Sequence, residues 1–307
     1  NKNKKFNIIN IKKTIEKLYP PKPLITSTLQ QYAQKELGFS ISFTMKIAQK
    51  LYENGIITYM RTDSTFISDE FKRYLSNEIN SKFGSEYYKD FKNSKKIKGA
   101  QEAHEAIRPT DLDTILSDNY NIHEKNLYDL IKKITIQAYM KPAKYDVHIY
   151  YLSNDFIKNY GVYISKFKKI IFSGYLEYTK NYKIIDLPEL NIKNDFILKK
   201  AICTNIESKP PKYYNESSIV KKLESTGIGR PSTYASIINT LYNRNYSKVT
   251  NIPEIKKEQK IYILDNNRIK KDKQSIIIPK QNNRIIVTDL GKNVLEYLLK
   301  HFSNIIN

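Results

Sequence analysis

The sequence has no tryptophan and a single cysteine, Cys203. One thiol cannot close an intrachain disulfide, and it cannot make a four-thiolate zinc site. A reducing compartment is consistent with that. No run of about 18 apolar residues occurs, so no membrane-spanning helix is expected. There is no GxxxxGK[ST] loop to cradle a nucleoside triphosphate. Acidic residues are also short: 31 stand against 52 lysines and arginines, a formal charge of +21. A field of that sign favours polyanions, either nucleic acid or an anionic surface. Isoleucine, tyrosine, lysine and asparagine are heavily used, the mark of a base-composition bias in the gene. Part of the charge therefore reflects that bias.

The 307 residues suit about two domains, and 40% hydrophobic residues are enough for real cores. The chain does not begin with Met, and NKNKKFNIINIKK reads as the middle of a longer protein, so a fragment is expected. No signal peptide is visible, which is uninformative without the true N-terminus.

Residues 1–23 are lysine-rich and end in YPPKP, which reads as a linker or edge segment. STLQQYAQKELG predicts a helix with Ser27 or Thr28 as N-cap and Gly38 as the stop. A second helix starts at Ser40 or Ser42 and runs to Gly55, with Met45, Ala48, Leu51 and Tyr52 on its buried face. GIITYMRTDS (55–64) then reads as a short buried strand, 56–59, running into a polar turn. A third helix is predicted from Ser68 to Phe83. KNSKKIKG (92–99) reads as a basic loop. Residues 123–140 are again helical, with Leu127, Leu130, Ile131, Ile134 and Ala138 inward. From 145 to about 206 the pattern changes to strands: DVHIYYL, YGVYISKF, KIIFSGYLEYT and DFILKKAICTNI. The turn IKND places Asn194 where a left-handed residue suits a hairpin. Beyond the Pro210-Pro211 pair, SIVKKLEST starts at Asn215 or Ser217 and stops at Gly227, and TYASIINTLYNR starts at Ser232. The two form a helix-turn-helix-like unit. The Asn/Lys-rich insert at about 253–283 reads as variable and partly disordered. A last helix runs from Thr288 to about Phe302.

The chemistry centres on Tyr59. A phenol with a pKa of ~10 is a poor nucleophile near neutrality. A cation beside it favours the phenolate and can equally hold a phosphate. Residues i and i+2 of a strand share a face, so Tyr59 and Arg61 can point into one cleft, with Asp63 orienting the guanidinium. A core tyrosine before a solvated turn is the plain alternative. His104, in EAHEAIRPTD (102–111), has Glu102 and Glu105 beside it, which would keep it protonated. A histidine bonded within its own loop is the plain alternative there. Arg108 is either a phosphate ligand or a loop arginine paired with Asp111. In GIGRPSTYA, Gly227 and Gly229 allow a tight turn, and Arg230, Ser232 and Thr233 lie at a helix N-terminus suited to a phosphate. Tyr234 could stack on a base. The plain alternative is an ordinary helix start, with Pro231 entering and Ser232 capping.

Four strings occur in order: TSTLQQ (26–31), MKIAQKLYENGIITYMRTDS (45–64), EAHEAIRPTD (102–111) and KLESTGIGRPSTYASII (222–238). Together they closely resemble the type IA DNA topoisomerases, in the bacterial topoisomerase I branch. The resemblance covers residues from about 23 to 301, ending in VTDLGKNVLEYLLKHF. It implies an α+β, multidomain fragment of a toroid. A β-rich arch would take 1–28 and 145–208. A mostly helical, winged-helix-like gate module with the nucleophile would take 29–144, and part of a helical DNA-binding base 209–307. It implies cleavage of one DNA strand through a 5′-phosphotyrosine at Tyr59, strand passage and resealing without ATP, relaxing negative supercoils. Arg61 matches the arginine that holds the scissile phosphate, Asp63 its acidic neighbour, and His104 a histidine that positions DNA and shuttles protons. Gln49 and Thr58 match positions on the strand path, with Arg108, Arg230, Ser232, Thr233 and Tyr234 as further DNA contacts.

The resemblance also implies Mg²⁺, held by a Toprim domain that precedes this stretch and supplies a glutamate and a D-x-D cluster. Asp111-x-Asp113, with Asp118 nearby, follows a proline turn rather than a buried strand, so no metal is expected there. The segment 212–214 reads Lys-Tyr-Tyr where family members often carry an arginine, and a lysine cannot replace a bidentate fork. The implied partners are single-stranded and negatively supercoiled DNA, for a monomer with no membrane contact, in a bacterial cytoplasm or an organelle of bacterial ancestry. The rival reading is a non-catalytic, basic single-stranded nucleic-acid-binding module. A tyrosine recombinase fits less well, since its tyrosine lies near the C-terminal end.

Overall fold

A computed structural model describes residues 5–91, 104–205, 207, 208, 210–265 and 268–302. The basic loop 92–99 and Glu102 lie outside the described residues. The helices begin where the sequence offers caps. The first, α1 (Thr26–Leu37), opens with the Ile25 N–H donating to Thr28 Oγ1 at 2.9 Å and stops at Gly38. Ser40 Oγ accepts from Phe43 N at the start of α2 (Ile41–Glu53), and Ser68 Oγ from Phe71 N at α3 (Asp69–Phe83). Helix α4 (Ile122–Ala138) opens on a capping box: Asn121 Oδ1 accepts from Glu124 N, while Glu124 Oε2 accepts from Asn121 N at 2.9 Å. The other Glu124 oxygen takes the Lys50 ammonium at 2.7 Å, which ties α4 to α2 and holds this buried carboxyl below the usual carboxylate range.

Two cores meet along α4. One gathers Leu29, Ala48, Leu51, Ile57, Met60, Leu127 and Ile131; the other gathers Ile67, Leu75, Ile79, Ala106, Leu112 and Tyr139. All five inward positions expected on α4 are buried. On α2 the buried face is Ile41, Thr44, Ile47, Ala48 and Leu51, and Tyr52 is instead 39% exposed.

The N-terminal segment is no linker. Residues Lys5–Leu18 form strand β1, paired antiparallel along its length with β2 (Ala143–Ser153). With β3 (Tyr163–Phe172) and β4 (Asp195–Ile197) they make a sheet of order β3-β2-β1-β4. Only Phe6 and Ile8 of β1 are buried, so hydrophobic periodicity could not announce it. Backbone pairing and side chains such as Glu16, bridged to Lys166 and Lys168 of β3, hold it in place. The two strands expected in YGVYISKF and KIIFSGYLEYT are one, β3. The chain then turns at Gly174, whose φ is 52° and where a Cβ would stand 2.5 Å from Lys141 O. Asn194 is not left-handed; its Oδ1 accepts from Asn191 N at 2.7 Å, so side-chain bonds make that turn.

Strand β5 (Lys200–Thr204) is followed by α5 (Glu216–Ser225) and α6 (Tyr234–Asn243), the expected helix-turn-helix pair, although α6 begins two residues after Ser232. Strands β6 (Ser247–Ile252) and β9 (Gln281–Val287) pair beside it. Between them the insert forms a hairpin, β7 (Ile255–Asp265) with β8 (Arg268–Ile278), whose first strand pairs with β5. The β-branched and aromatic residues at 261–263 and 276–278 favour strands, which overrides the disorder suggested by polarity. Helix α7 (Asp289–His301) closes the chain, with Thr288 Oγ1 capping Gly291 N.

Gly291 sits in the first turn of α7 directly against Tyr246, where a Cβ would lie 2.1 Å from the carbonyl oxygen. Alanine ordinarily stabilises a helix over glycine by about 1 kcal/mol. Here Gly291→Ala is expected to lower the thermal midpoint instead, measured by circular dichroism, because α7 must shift away from Tyr246.

Candidate active site

Tyr59 does not stand on a regular strand. Residues 56–58 make a single antiparallel bridge, Ile57 with Pro109, flanked by Thr58 N donating to Arg108 O at 2.9 Å and Thr110 N to Ile56 O at 3.0 Å. The segment is too short for a ladder, and side-chain hydroxyls complete the anchoring. Thr58 Oγ1 donates to Ala106 O at 2.7 Å and accepts from Arg108 N at 3.0 Å. On the far side of Tyr59, buried Thr26 Oγ1 donates to Met60 O at 2.8 Å and accepts from Thr62 N at 2.9 Å, while Thr26 N donates to Thr62 O at 2.9 Å. Met60 and Thr62 are buried and the intervening Arg61 is exposed. Tyr59 is thus pinned through the backbone on both sides, with its half-buried ring left to face a cleft.

That cleft has a volume of about 690 Å³ and is lined by Tyr52, Tyr59, Arg61, Asp63, His104 and Arg230, with Thr62, Pro231 and Ser232. The Tyr59 ring packs edge-on to Tyr52, centroids 5.1 Å apart, and lies 5.4 Å from the His104 ring at a 37° tilt. Among the described residues neither Arg61 nor Asp63 enters an ion pair, so the expected Arg61–Asp63 contact is not made and the Arg61 guanidinium is free to meet an anion. Arg230 is exposed at the cleft and, among the described residues, its guanidinium makes one hydrogen bond, to Gly229 O at 2.8 Å. A nucleophile-bearing wall with two uncommitted arginines and a histidine can hold a phosphate diester against the phenol.

Arg230 and Ser232 reach the cleft because α5 and α6 dock on α1 and α2. Ile41 N donates to Glu216 Oε2 at 2.8 Å and Ser217 N to Gln34 Oε1 at 2.8 Å. Ile41, Val220, Tyr234 and Ile238 form the apolar contact beneath. Tyr234 therefore belongs to the core: it is 5% exposed and burial pushes its phenol pKa up, so its ring offers no face for a base. Thr233 Oγ1 is turned back to its own loop, accepting from Arg230 N at 2.9 Å. Arg108 is also committed elsewhere. Its guanidinium bridges to Glu105, donates to Pro109 O at 2.9 Å and covers the Phe71 ring at 3.8 Å. The pairing expected with Asp111 is not made. Glu105, engaged by Arg108 and by Ser68 N, is not a partner of His104. Gln49 lies outside the cleft lining and donates to Glu53 Oε1 at 2.7 Å, and the Thr58 hydroxyl is used up in the anchor. Tyr52 and Thr26 are the residues that sequence reading passed over. The helical spacing of Tyr52 suggested core, and Thr26 entered only as the first residue of TSTLQQ.

Asp111 and Asp113 are not arranged to hold a magnesium ion. Among the described residues no group of three His, Cys, Asp or Glu side chains gathers. Asp111 and Asp113 instead share the Tyr74 hydroxyl, at 2.8 and 2.7 Å, and burial together with these two carboxylates raises the Tyr74 pKa. No helix among the described residues is long and apolar enough to cross a membrane.

A family model described as DNA topoisomerase matches residues 1–262. A prokaryotic-type DNA topoisomerase 1 of Acanthamoeba polyphaga mimivirus is 38% identical over 92% of this chain and 36% of its own length. The DNA topoisomerase 1 of Campylobacter jejuni is 36% identical over 100% of this chain and 41% of its own. The full-length topoisomerase I structure from Thermotoga maritima superposes with a TM-score of 0.75 at 33% identity, covering 99% of this chain and 46% of that one. The chain belongs to the type IA DNA topoisomerases, in the bacterial topoisomerase I branch. It spans less than half the length of these relatives.

The two arginines of the Tyr59 region should separate in a stability measurement. Arg108→Ala leaves Glu105 with only Ser68 N and uncovers Phe71, and should cost about 1–3 kcal/mol in urea unfolding, as for a part-buried charged group losing its partner. Arg61→Ala, exposed and unpaired, should stay within about 0.5 kcal/mol.

Proposed function

We propose that this chain carries the nucleophile half of an enzyme that transiently cleaves one DNA strand, passes another through the gap and reseals it. The observation that supports this most is the clamped Tyr59 in a cleft with uncommitted Arg61 and Arg230. The Tyr59 oxygen attacks phosphorus, a bond from tyrosine to the 5′-phosphate forms, and the bond to the 3′ oxygen breaks. The proton leaves the phenol and the departing 3′ oxygen gains one, and His104 is the group in the cleft that can move it. Arg61 and Arg230 offset the charge on the phosphate. The phosphotyrosine diester conserves the energy of the broken bond, so the 3′ hydroxyl can reverse the step without ATP. Gln49, Thr58, Arg108 and Thr233 are proposed as supports of the strand path rather than as direct ligands, in view of the bonds they already make.

The proposed substrate is single-stranded DNA opened in negatively supercoiled duplex, acted on by a monomer wherever that DNA lies, in a bacterial cytoplasm or a related organelle. Mg²⁺ is proposed to be held outside this chain, in a Toprim domain. The 307 residues alone are accordingly expected to bind single strands and to cleave them weakly or not at all.

The test uses full-length enzyme with Mg²⁺ and a radiolabelled single-stranded oligonucleotide, resolved by denaturing electrophoresis. Tyr59→Phe is expected to lose the covalent adduct while still binding DNA. An equal adduct in both proteins would remove Tyr59 as nucleophile. Strong adduct formation by the 307-residue chain by itself would overturn the division of the site between domains.

A further inference from the structure

The hairpin of β7 and β8 carries seven lysines and arginines against three acids (255–278), and β8 lies beyond the stretch that the family model matches. In the antiparallel register Lys260 stands opposite Lys273, and Tyr262 opposite Lys271. Directly opposed residues share a face, so these four side chains lie on one side of the sheet, with Lys256 further along it. Like charges facing each other across two strands destabilise a hairpin, and Lys273 has only Glu258, at 2.9 Å, to offset it. Lys260 and Lys271 have no ion-pair partner among the described residues. Tyr262 is 44% exposed on the same face. It borders a groove of about 420 Å³ lined by Tyr163, Leu198, Ala201, Tyr262, Leu264 and Ile269. None of these residues lines the cleft of Tyr59.

We infer that this sheet face is a second site for single-stranded DNA, separate from the cleavage cleft. Lysines hold the phosphates and Tyr262 and the groove receive unstacked bases. The inference rests on the reading of the chain as a DNA-acting protein. Three observations choose the occupant. Opposed lysines are relieved by a polyanion. An exposed aromatic interleaved with cations suits strand backbone and base together. The apolar groove suits a base face, and a duplex presents none.

The experiment is fluorescence anisotropy of a labelled oligothymidylate with the 307-residue chain across a salt series. Five variants are compared, the last of them Tyr262→Ser. The first replaces Lys260, Lys271 and Lys273 with serine, and the second replaces the same three with arginine. The third removes equal charge from the opposite face, with Lys257, Arg268 and Lys270 changed to serine. The fourth is Arg61→Ala with Arg230→Ala. The slope of log affinity against log salt should become shallower by about 2 in the first variant, at about 0.7 per phosphate contact. The arginine variant should keep the slope, and the opposite-face variant should keep it also. Tyr262→Ser should weaken the single strand about tenfold, in the range of one lost base stack, and leave duplex binding unchanged. Equal losses from the two faces, or loss only in the cleft variant, would overturn the second site and leave the proposed function standing. Failure of the unaltered chain to bind would overturn both.

Discussion

Two threonine hydroxyls hold the segment that carries Tyr59. Thr26, at the first turn of α1, fixes Met60 and Thr62; Thr58 fixes Ala106 and Arg108. Between them the chain has no sheet to lie in, only the bridge of Ile57 to Pro109. Backbone groups buried there without partners would cost about 1–3 kcal/mol each. The hydroxyls remove that cost and thereby fix where Tyr59 must emerge. Each also ties a distant piece of chain to the same place, so α1, the 104–110 segment and the segment bearing Tyr59 become one unit.

The second constraint is the seating of α5 and α6. The Glu216 carboxylate meets the free N-terminus of α2, where backbone N–H groups and the helix dipole favour an anion. Gln34 does the reciprocal service at the start of α5. These polar contacts surround the apolar patch of Ile41, Val220, Tyr234 and Ile238. They bring Arg230 to the cleft that Arg61 and Tyr59 also line, so two guanidinium groups share it with the phenol.

Helix boundaries were legible because caps and glycine stops are local: Ser40, Ser68, Asn215 and Thr288 are where side-chain oxygen meets backbone N–H. The cleft residues Tyr59, Arg61, Asp63, His104 and Arg230 were legible through ordered motifs. What the sequence concealed depends on long-range contacts. β1 has almost no buried face, so its pairing with a strand more than a hundred residues away left no periodic trace. Arg108 and Tyr234 carry the right chemistry for DNA, but packing commits one to Glu105 and Phe71 and buries the other. Tyr52 shows the converse. Its spacing suggested core, yet α2 turns it outward against Tyr59.

The central claim is that the clamp selects one of 25 tyrosines as the reagent. The most direct measurement is mass-spectrometric mapping of the trapped protein–DNA adduct after nuclease and protease digestion of the full-length enzyme. The account predicts a nucleotide 5′-phosphate on the phenol of Tyr59. The same mass on Tyr52, its neighbour in the cleft, or on any other tyrosine would contradict it.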